Sequence, residues 1–508
     1  MLVVKGRLGR EARPTLFSFF GKVFVTSRKV FADFLLYLCT MKQLTNSKLM
    51  IWLCICIVFV CICHSAATYH FYYMEQWNTF YWDADAVCQT LAKPGGMAIV
   101  LADFLMQFFC YGAGPVVYGV LMTLVAYAQS LWVKGEARYL GCITAVAMLM
   151  TLVSNMSCLL AGSVCLVMVM FLVAVVLRCR LWLKVVAVAM ITLVVRKNCL
   201  VREGSALNFM VYLPWLTAMV VGVLQACCLY LQKHIGKYGL VIQCVIVVGA
   251  LVGLFVSSYQ AQDEYMKKIY YYVRHQQWDE IINRSNSRGA KDNVTFQLCR
   301  NMALAEKGEL GEKLLMFDQQ GMNSIMTSDF KTLQVSMLMM DVYYAMGYVN
   351  MSQLCAFESQ ECMDNKSPYL WQRLVDTNIE NGAYAVAEKY IKLLERTLAY
   401  RNWAKERRRF LYNDKAVRAD KVLGLKRKCI FSDDKLMGNG GFDNDLASIV
   451  KACPEHRATL EYLGSMYIVA NQRSEFLSLM KQYKGTKAMP HIPASFAKAM
   501  EVFGKNPE

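Results

Sequence analysis

Two regimes of apolar and polar residues follow one another along this chain. Residues 49–67 form an apolar run close to the ~20 residues that a bilayer core demands, and further runs occupy 115–133, 139–155, 157–177, 181–195, 208–231 and 238–257. The run 97–111 is interrupted by Asp103 and Gln107 and reads as a surface or re-entrant helix instead of a crossing. From about Gln260 the apolar positions recur at helical period, with candidate helices near 262–276, 293–307, 310–319, 330–346, 369–381, 384–399, 457–471 and 474–483. Nothing alternates at period two for long, so no strands are expected. Residues 412–445, lysine-rich and containing Gly438-Asn439-Gly440-Gly441, read as a long loop.

The pattern predicts an all-α protein: a polytopic transmembrane bundle of 7–8 spans at 49–258, followed by a soluble α-helical domain at 259–508. A basic segment, 1–48, precedes them. Within it, residues 15–40 mix six phenylalanines with Lys22, Arg28 and Lys29. Two readings stay open, a basic amphipathic helix on a membrane surface and a chain whose translation starts at Met41. No small-residue cleavage site follows the first apolar run, which argues against a signal peptide.

Charge supports the division. Residues 49–259 hold 6 carboxylates and 11 Lys/Arg, whereas residues 260–508 hold 30 and 35. The net charge of +17 resembles that of a nucleic-acid binder until it is located: +7 in 1–48, +5 in the apolar block and +5 in the tail. Much of it flanks apolar runs, as orientation charges do, so no nucleic-acid partner is expected. The basic loops at Lys134/Arg138, Arg178/Arg180/Lys184 and Lys233/Lys237 favour a cytoplasmic N-terminus and an extracytoplasmic tail; Arg196/Lys197/Arg202 opposes that choice.

Of 20 cysteines, 15 precede residue 260, most of them inside apolar runs. No pair has CxxC spacing. The tail's five cysteines cannot all pair internally, and a bridge between Cys355 and Cys362 is left open. The six histidines, His64, His70, His234, His275, His456 and His491, have no ligand spacing. Asp433, Asp434, Asp443 and Asp445 do not fit an EF-hand loop, and Gly438–Gly441 is not followed by the Gly-Lys-Ser/Thr of a phosphate loop. The run Lys405, Arg407, Arg408, Arg409, Lys421, Lys426, Arg427 and Lys428 reads as a solvated face, or as a docking patch for anionic headgroups.

Two helix pairs in the tail resemble the tetratricopeptide repeat. Trp371 and Leu374 are followed by Gly382, Tyr384 and Ala387 at the expected offsets, and Leu460, Leu463, Gly464 and Tyr467 reproduce the first-helix pattern. A weaker match lies at Gly308, Leu310 and Phe317. Trp371 and Leu460 are 89 residues apart, which is not a whole number of 34-residue repeats. Such stacks bind partners more often than they catalyse.

The first loop carries Glu75 and the triplet Asp83-Ala84-Asp85, and its layout resembles that of integral-membrane glycosyltransferases that use polyprenyl-phosphate sugars. That resemblance implies Glu75, Asp83 and Asp85 as catalytic carboxylates, holding a divalent cation beside a phosphate leaving group or acting as base. The bland reading makes them solvated interfacial carboxylates, and Asp103 likewise a residue facing water. No Lys, Arg, Asp or Glu occurs between Tyr139 and Leu177, which disfavours ion-coupled transport. No cofactor is evident otherwise.

Ala387-Glu388-Lys389-Tyr390, Tyr400-Arg401-Asn402-Trp403-Ala404, Pro94-Gly95-Gly96 and Phe104-Leu105-Met106-Gln107-Phe108-Phe109 resemble an uncharacterised family of bacterial polytopic inner-membrane proteins with TPR-like tails. The layout resemblance runs from about Met41 to the end. It implies a multi-pass protein of the bacterial cytoplasmic membrane, bound to the bilayer, and no catalytic residue. The repeat-like tail without a motif for chemistry leads to the expectation of an envelope protein whose 259–508 domain, placed in the periplasm by the loop charges, binds a protein partner.

Overall fold

A computed structural model describes residues 48–93, 95–133, 136–154, 160–177, 214–227, 249, 253, 261–285, 293–327, 332–362, 366–430 and 441–505. The described residues are helical and contain no strand. Two isolated β-bridges join Tyr81 to Thr397 and Lys484 to Met489. The all-α expectation stands; the expectation of 7–8 spans does not. Among the described residues two helices are long and apolar enough to cross a membrane, Leu49–Trp77 and Ala137–Ser154. Gly114–Ser130 and Leu160–Val176 have 17 residues each, a length of about 25 Å against a ~30 Å hydrocarbon core, and Pro214–Cys227 is shorter still. The basic segment 1–47 and the apolar run 181–195 lie outside the described residues, as does 238–257 except for 249 and 253.

The overcount has a physical reason. An apolar run does not say whether its side chains meet lipid or protein. In Ala137–Ser154, 72% of the apolar window is buried against the protein, compared with 11% in Leu49–Trp77. Small residues permit that burial. A Cβ on Gly119 would lie 2.8 Å from the Val60 backbone nitrogen, and one on Gly141 would lie 2.9 Å from the Ala126 carbonyl.

Chain contacts divide the protein into two compact units. The first draws on Met1–Thr68, Ala113–Cys158 and Gly162–Ser258. Polar side chains cross-link its helices: the Tyr118 hydroxyl donates to the Met148 carbonyl at 3.1 Å and lies 2.9 Å from Ser163 Oγ. Gln129 and Gln225 donate to the carbonyls of Ala218 and Ala137. Such bonds satisfy polar groups where water is absent.

The second unit combines Tyr69–Gly112 and Leu159–Ala161 with Tyr259–Glu508. Its helices pack in sequence, Leu333–Met346 on Val349–Glu361, that helix on Pro368–Glu380, and this in turn on Tyr384–Glu395. One turn joins the paired helices repeatedly. Gln276, Gly308, Gly347, Gly382 and Asn471 have φ of 53°, 67°, 84°, 76° and 56°. In each case the following N–H reaches five residues back, as Tyr348 to Tyr343 at 2.9 Å and Ala383 to Asn378 at 2.8 Å. This left-handed ending satisfies the last helical carbonyls. The next helix starts two residues after the turn residue, at Trp278, Leu310, Val349, Tyr384 and Arg473. The intervals from 276 to 308, 308 to 347 and 347 to 382 are 32, 39 and 35 residues. The 89 residues from 382 to 471 contain the irregular helices Arg401–Arg408, Asp414–Ala419, Leu423–Lys428 and Phe442–Ala452. Asp414–Ala419, Leu423–Lys428 and the start of Phe442–Ala452 fall within the stretch 412–445 read from sequence as a loop, of which 431–440 lie outside the described residues.

Gly347 is the tightest of these turns. A Cβ there would lie 2.8 Å from Thr459 Oγ1 and 3.2 Å from both Cys429 Sγ and His456 Nδ1. Gly347→Ala is expected to cost about 2–3 kcal/mol, combining the left-handed backbone penalty with the clash. Gly485→Ala, at φ 74° with open space around it, should cost only the backbone part, about 1–2 kcal/mol. Unfolding of the two purified variants, compared side by side, checks the difference.

Candidate functional site

The first-loop carboxylates belong to the second unit, where Glu75 and Asp83 have partners and Asp85 is exposed. Glu75, near the end of the Lys48–Trp77 helix, is buried and accepts a hydrogen bond from the Tyr400 hydroxyl. The Arg274 guanidinium neighbours that pair, lying 4.5 Å from the Tyr369 ring centre and 5.7 Å from that of Tyr400. Asp83 caps the Ala84–Leu91 helix by accepting from the backbone N–H groups of Asp85 and Ala86 at 3.1 and 3.3 Å. It also forms an ion pair with Arg396. Asp85 is exposed in the first turn of the same helix, where its charge favours the helix N-terminus.

Asp103 does not face water. It is buried, accepts from Asn78 Nδ2 at 2.6 Å and pairs with Lys366 at 3.2 Å. Glu75, Asp83 and Asp103 thus tie residues 69–112 to side chains at 274, 366, 396 and 400. Ser367 reinforces the join by donating to the Gln76 carbonyl at 2.5 Å, as does the Trp82 N–H bond to the Arg396 carbonyl at 2.9 Å. Among the described residues no three His, Cys, Asp or Glu side chains come together as a metal site would require.

A buried chain of polar groups runs through the tail helices beyond this join. Asp341 accepts from the Tyr369 hydroxyl and from Arg373 Nη2 at 2.9 Å. Arg373 lies 3.6 Å from the Tyr344 ring centre, and the Tyr344 hydroxyl donates to Glu380 Oε1 at 2.6 Å. Lys426 Nζ lies 4.8 Å from the same ring centre. It donates to the carbonyls of Tyr344 and Ala345, and lies 2.9 Å from His456 Nε2. His456 Nδ1 lies 2.6 Å from Thr459 Oγ1 and accepts from the Thr459 backbone N–H at 3.3 Å, capping the Arg457–Val469 helix. The Thr459 hydroxyl donates onward to the Met346 carbonyl at 2.6 Å.

Burial sets the electrostatics of this chain. It pushes Glu380 up from 4.5 to about 8, against the opposing pull of the Tyr344 hydrogen bond. Burial, aided by the Lys426 charge, pulls His456 down from 6.5 to about 3. Lys426 itself is lowered by burial. Burial also acts downward on Arg373, but Asp341 and Tyr344 outweigh it and hold the guanidinium above its ordinary value.

The profile of one protein family matches residues 42–507 of this sequence. The chain belongs to the family of unknown function DUF6057. Its match takes in Glu75, Asp83, Asp103 and the whole buried polar chain from Arg274 to Thr459, whereas the first 41 residues precede it. Among curated proteins and among solved structures, nothing matches the chain.

Part of the basic run read from the sequence is paired with carboxylates of the same unit. Arg407 pairs with Asp376 at 2.8 Å, Arg408 with Glu395 at 2.7 Å, Arg427 with Asp414 at 2.9 Å and Lys428 with Glu455, while Lys426 is buried. Lys405, Arg408, Arg409, Lys421 and Lys428 are exposed. The Cys355–Cys362 bridge is not formed, since both thiols are free; Cys355 is buried in Val349–Glu361 and Cys362 is exposed at its end. The buried polar chain itself escaped the sequence reading, although it left a trace. Asp341 is the sole charged residue between Thr332 and Asn350, and a lone charge in so apolar a helix needs a partner.

Proposed function

We propose that this DUF6057 member is a membrane-anchored scaffold of the bacterial cell envelope, whose second unit binds a protein partner at the outer face of the cytoplasmic membrane. The repeated left-handed turn carries the reading. Five helix pairs with the same junction, three intervals of which scatter around the 34-residue tetratricopeptide period, favour a TPR-like stack used for recognition. At four of the five junctions the residue five positions after the turn residue is buried, at Ile281, Ser352, Ala387 and Phe476, in the close-packing position that such repeats reserve for it. Anchoring is supported by the 29-residue apolar helix Leu49–Trp77. Lys42 and Lys48 before it favour the cytoplasmic side, which puts Tyr69–Gly112 outside, and Tyr259–Glu508 goes with that segment because the two belong to one compact unit.

The lipid-linked-sugar transferase alternative has less support. Glu75 and Asp83 already satisfy partners within their own unit.

Phe357 and Val386, 50% and 44% exposed, lie on the second helices of consecutive pairs and are the side chains to test. In-membrane crosslinking of the full-length chain should capture a reproducible envelope protein, and the exposed substitutions Phe357→Asp with Val386→Asp should abolish that capture without unfolding the chain. Capture of nothing, or capture indifferent to both substitutions, would overturn the proposal. The isolated tail is the wrong reagent, because Tyr69–Gly112 belongs to the same compact unit.

A further inference from the structure

Cys429 ends the Leu423–Lys428 helix and Cys453 ends the Phe442–Ala452 helix. Both are buried, and their thiols converge. Cys429 Sγ lies 3.4 Å and Cys453 Sγ 4.0 Å from the same carbonyl oxygen, that of Leu425, which places the two sulfurs side by side. Around them sit the Lys426 amine, which bonds His456, and Gly347, whose missing Cβ leaves the space that Cys429 Sγ borders. Buried single thiols in this unit, such as Cys299 and Cys355, behave as small apolar side chains. Two thiols brought together from helix ends 24 positions apart in sequence can do chemistry that neither does alone.

We propose that Cys429 and Cys453 form a redox-active dithiol that closes reversibly to a disulfide, clamping the Leu423–Lys428 helix to the Phe442–Ala452 helix. The oxidant is a low-molecular-weight disulfide, RSSR. The Cys453 thiolate attacks one sulfur of RSSR, the S–S bond breaks, and RS⁻ departs. Cys429 then loses its proton to solvent, and its sulfur attacks Cys453 Sγ, expelling the second RS⁻. Both leaving thiolates take up protons, so one protein dithiol and one RSSR become one protein disulfide and two RSH.

The roles follow from their proximity and surroundings. The neighbouring thiol draws Cys453 down, with the His456 backbone and the Lys428 charge assisting, and drives Cys429 up, so Cys453 is the nucleophile and Cys429 the resolving thiol. The pair would meet an oxidising compartment under the envelope reading, but the chemistry does not depend on it.

The test equilibrates detergent-solubilised full-length protein in glutathione/glutathione disulfide buffers, with and without sub-denaturing urea so that burial does not limit exchange. After acid quenching and differential alkylation, the peptides are read by mass spectrometry. Both thiols should be lost together at one midpoint, while Cys299 and Cys355 stay reduced. Cys429→Ser should trap Cys453 as its glutathione mixed disulfide, and Cys453→Ser should leave Cys429 reduced. The proposal fails if both cysteines stay reduced in the most oxidising buffer with urea present, or if they oxidise independently of one another.

Discussion

Asp341→Ala is expected to destabilise the second unit by about 3–5 kcal/mol, the usual consequence of removing one partner from a buried ion pair. The carboxylate sits within Leu333–Met346 and serves two donors at once, the Tyr369 hydroxyl and Arg373 Nη2. Its removal leaves the Arg373 guanidinium, whose side chain is only 15% exposed, facing the Tyr344 ring without a direct counter-charge. It also strands the buried Tyr369 hydroxyl, and an unmade bond at a buried donor adds about 1–3 kcal/mol to the gross cost. Asp341→Asn keeps a carbonyl oxygen for these donors and discards only the charge, so its cost should be about half as large. Chemical unfolding of the detergent-solubilised chain, followed by tryptophan fluorescence with Trp371 buried in the adjacent helix, measures both. A loss under about 1 kcal/mol for the alanine variant would mean that Asp376, already paired to Arg407, also neutralises Arg373.

The sequence made the helical tail and part of its core legible. Trp371, Leu374 and Ala387 are fully buried, and Gly382 takes the left-handed turn that its position implies. Those features are local, set by spacing along one or two helices. What stayed hidden depended on partners far away in sequence. Glu75 and Tyr400 are separated by 325 positions, and Asp103 and Lys366 by 263. A carboxylate in an aromatic loop reads the same whether it faces water or a buried cation.

The span count failed for a related reason, because hydropathy scores the residue and not its surroundings. The basic run keeps Lys405, Arg408, Arg409, Lys421 and Lys428 exposed, as a solvated face does, whereas the burial of Lys426 depends on neighbours far away in sequence. Gln276 and Asn471 gave no warning of left-handed turns in the way that glycine does, although asparagine tolerates that conformation better than most residues.

The stability of the second unit should pass over a plateau between about pH 4.5 and 6.5, because two buried groups pull in opposite directions. His456 is neutral in the folded protein down to about pH 3, whereas in the unfolded chain it protonates near 6.5. Between those values the unfolded state binds more protons, so stability rises with pH. The contribution is fully present above 6.5 and lost toward 3. Glu380 does the reverse. Its folded value of about 8 lies above the unfolded 4.5, so the folded state holds the extra proton and stability falls as pH rises through that interval. Each effect amounts to about 4–5 kcal/mol at full extent. Between 4.5 and 6.5 the opposing slopes cancel, and above 6.5 the Glu380 slope stands alone. The charges facing Glu380 are Asp376, which raises it further, and Arg373 and Lys426, which oppose the rise; the Tyr344 hydroxyl opposes it by hydrogen bonding. Glu380→Gln keeps an acceptor for that hydroxyl while removing the titration. The variant should therefore match wild type near pH 5 and exceed it by several kcal/mol at pH 8.5. His456→Gln should flatten the acid limb and leave the alkaline one unchanged. Unfolding free energies measured at half-unit pH steps for the three proteins decide the matter. An alkaline limb of equal slope in wild type and Glu380→Gln would show that Glu380 is ionised in the fold, with Lys426 and Arg373 stabilising its charge more than burial penalises it.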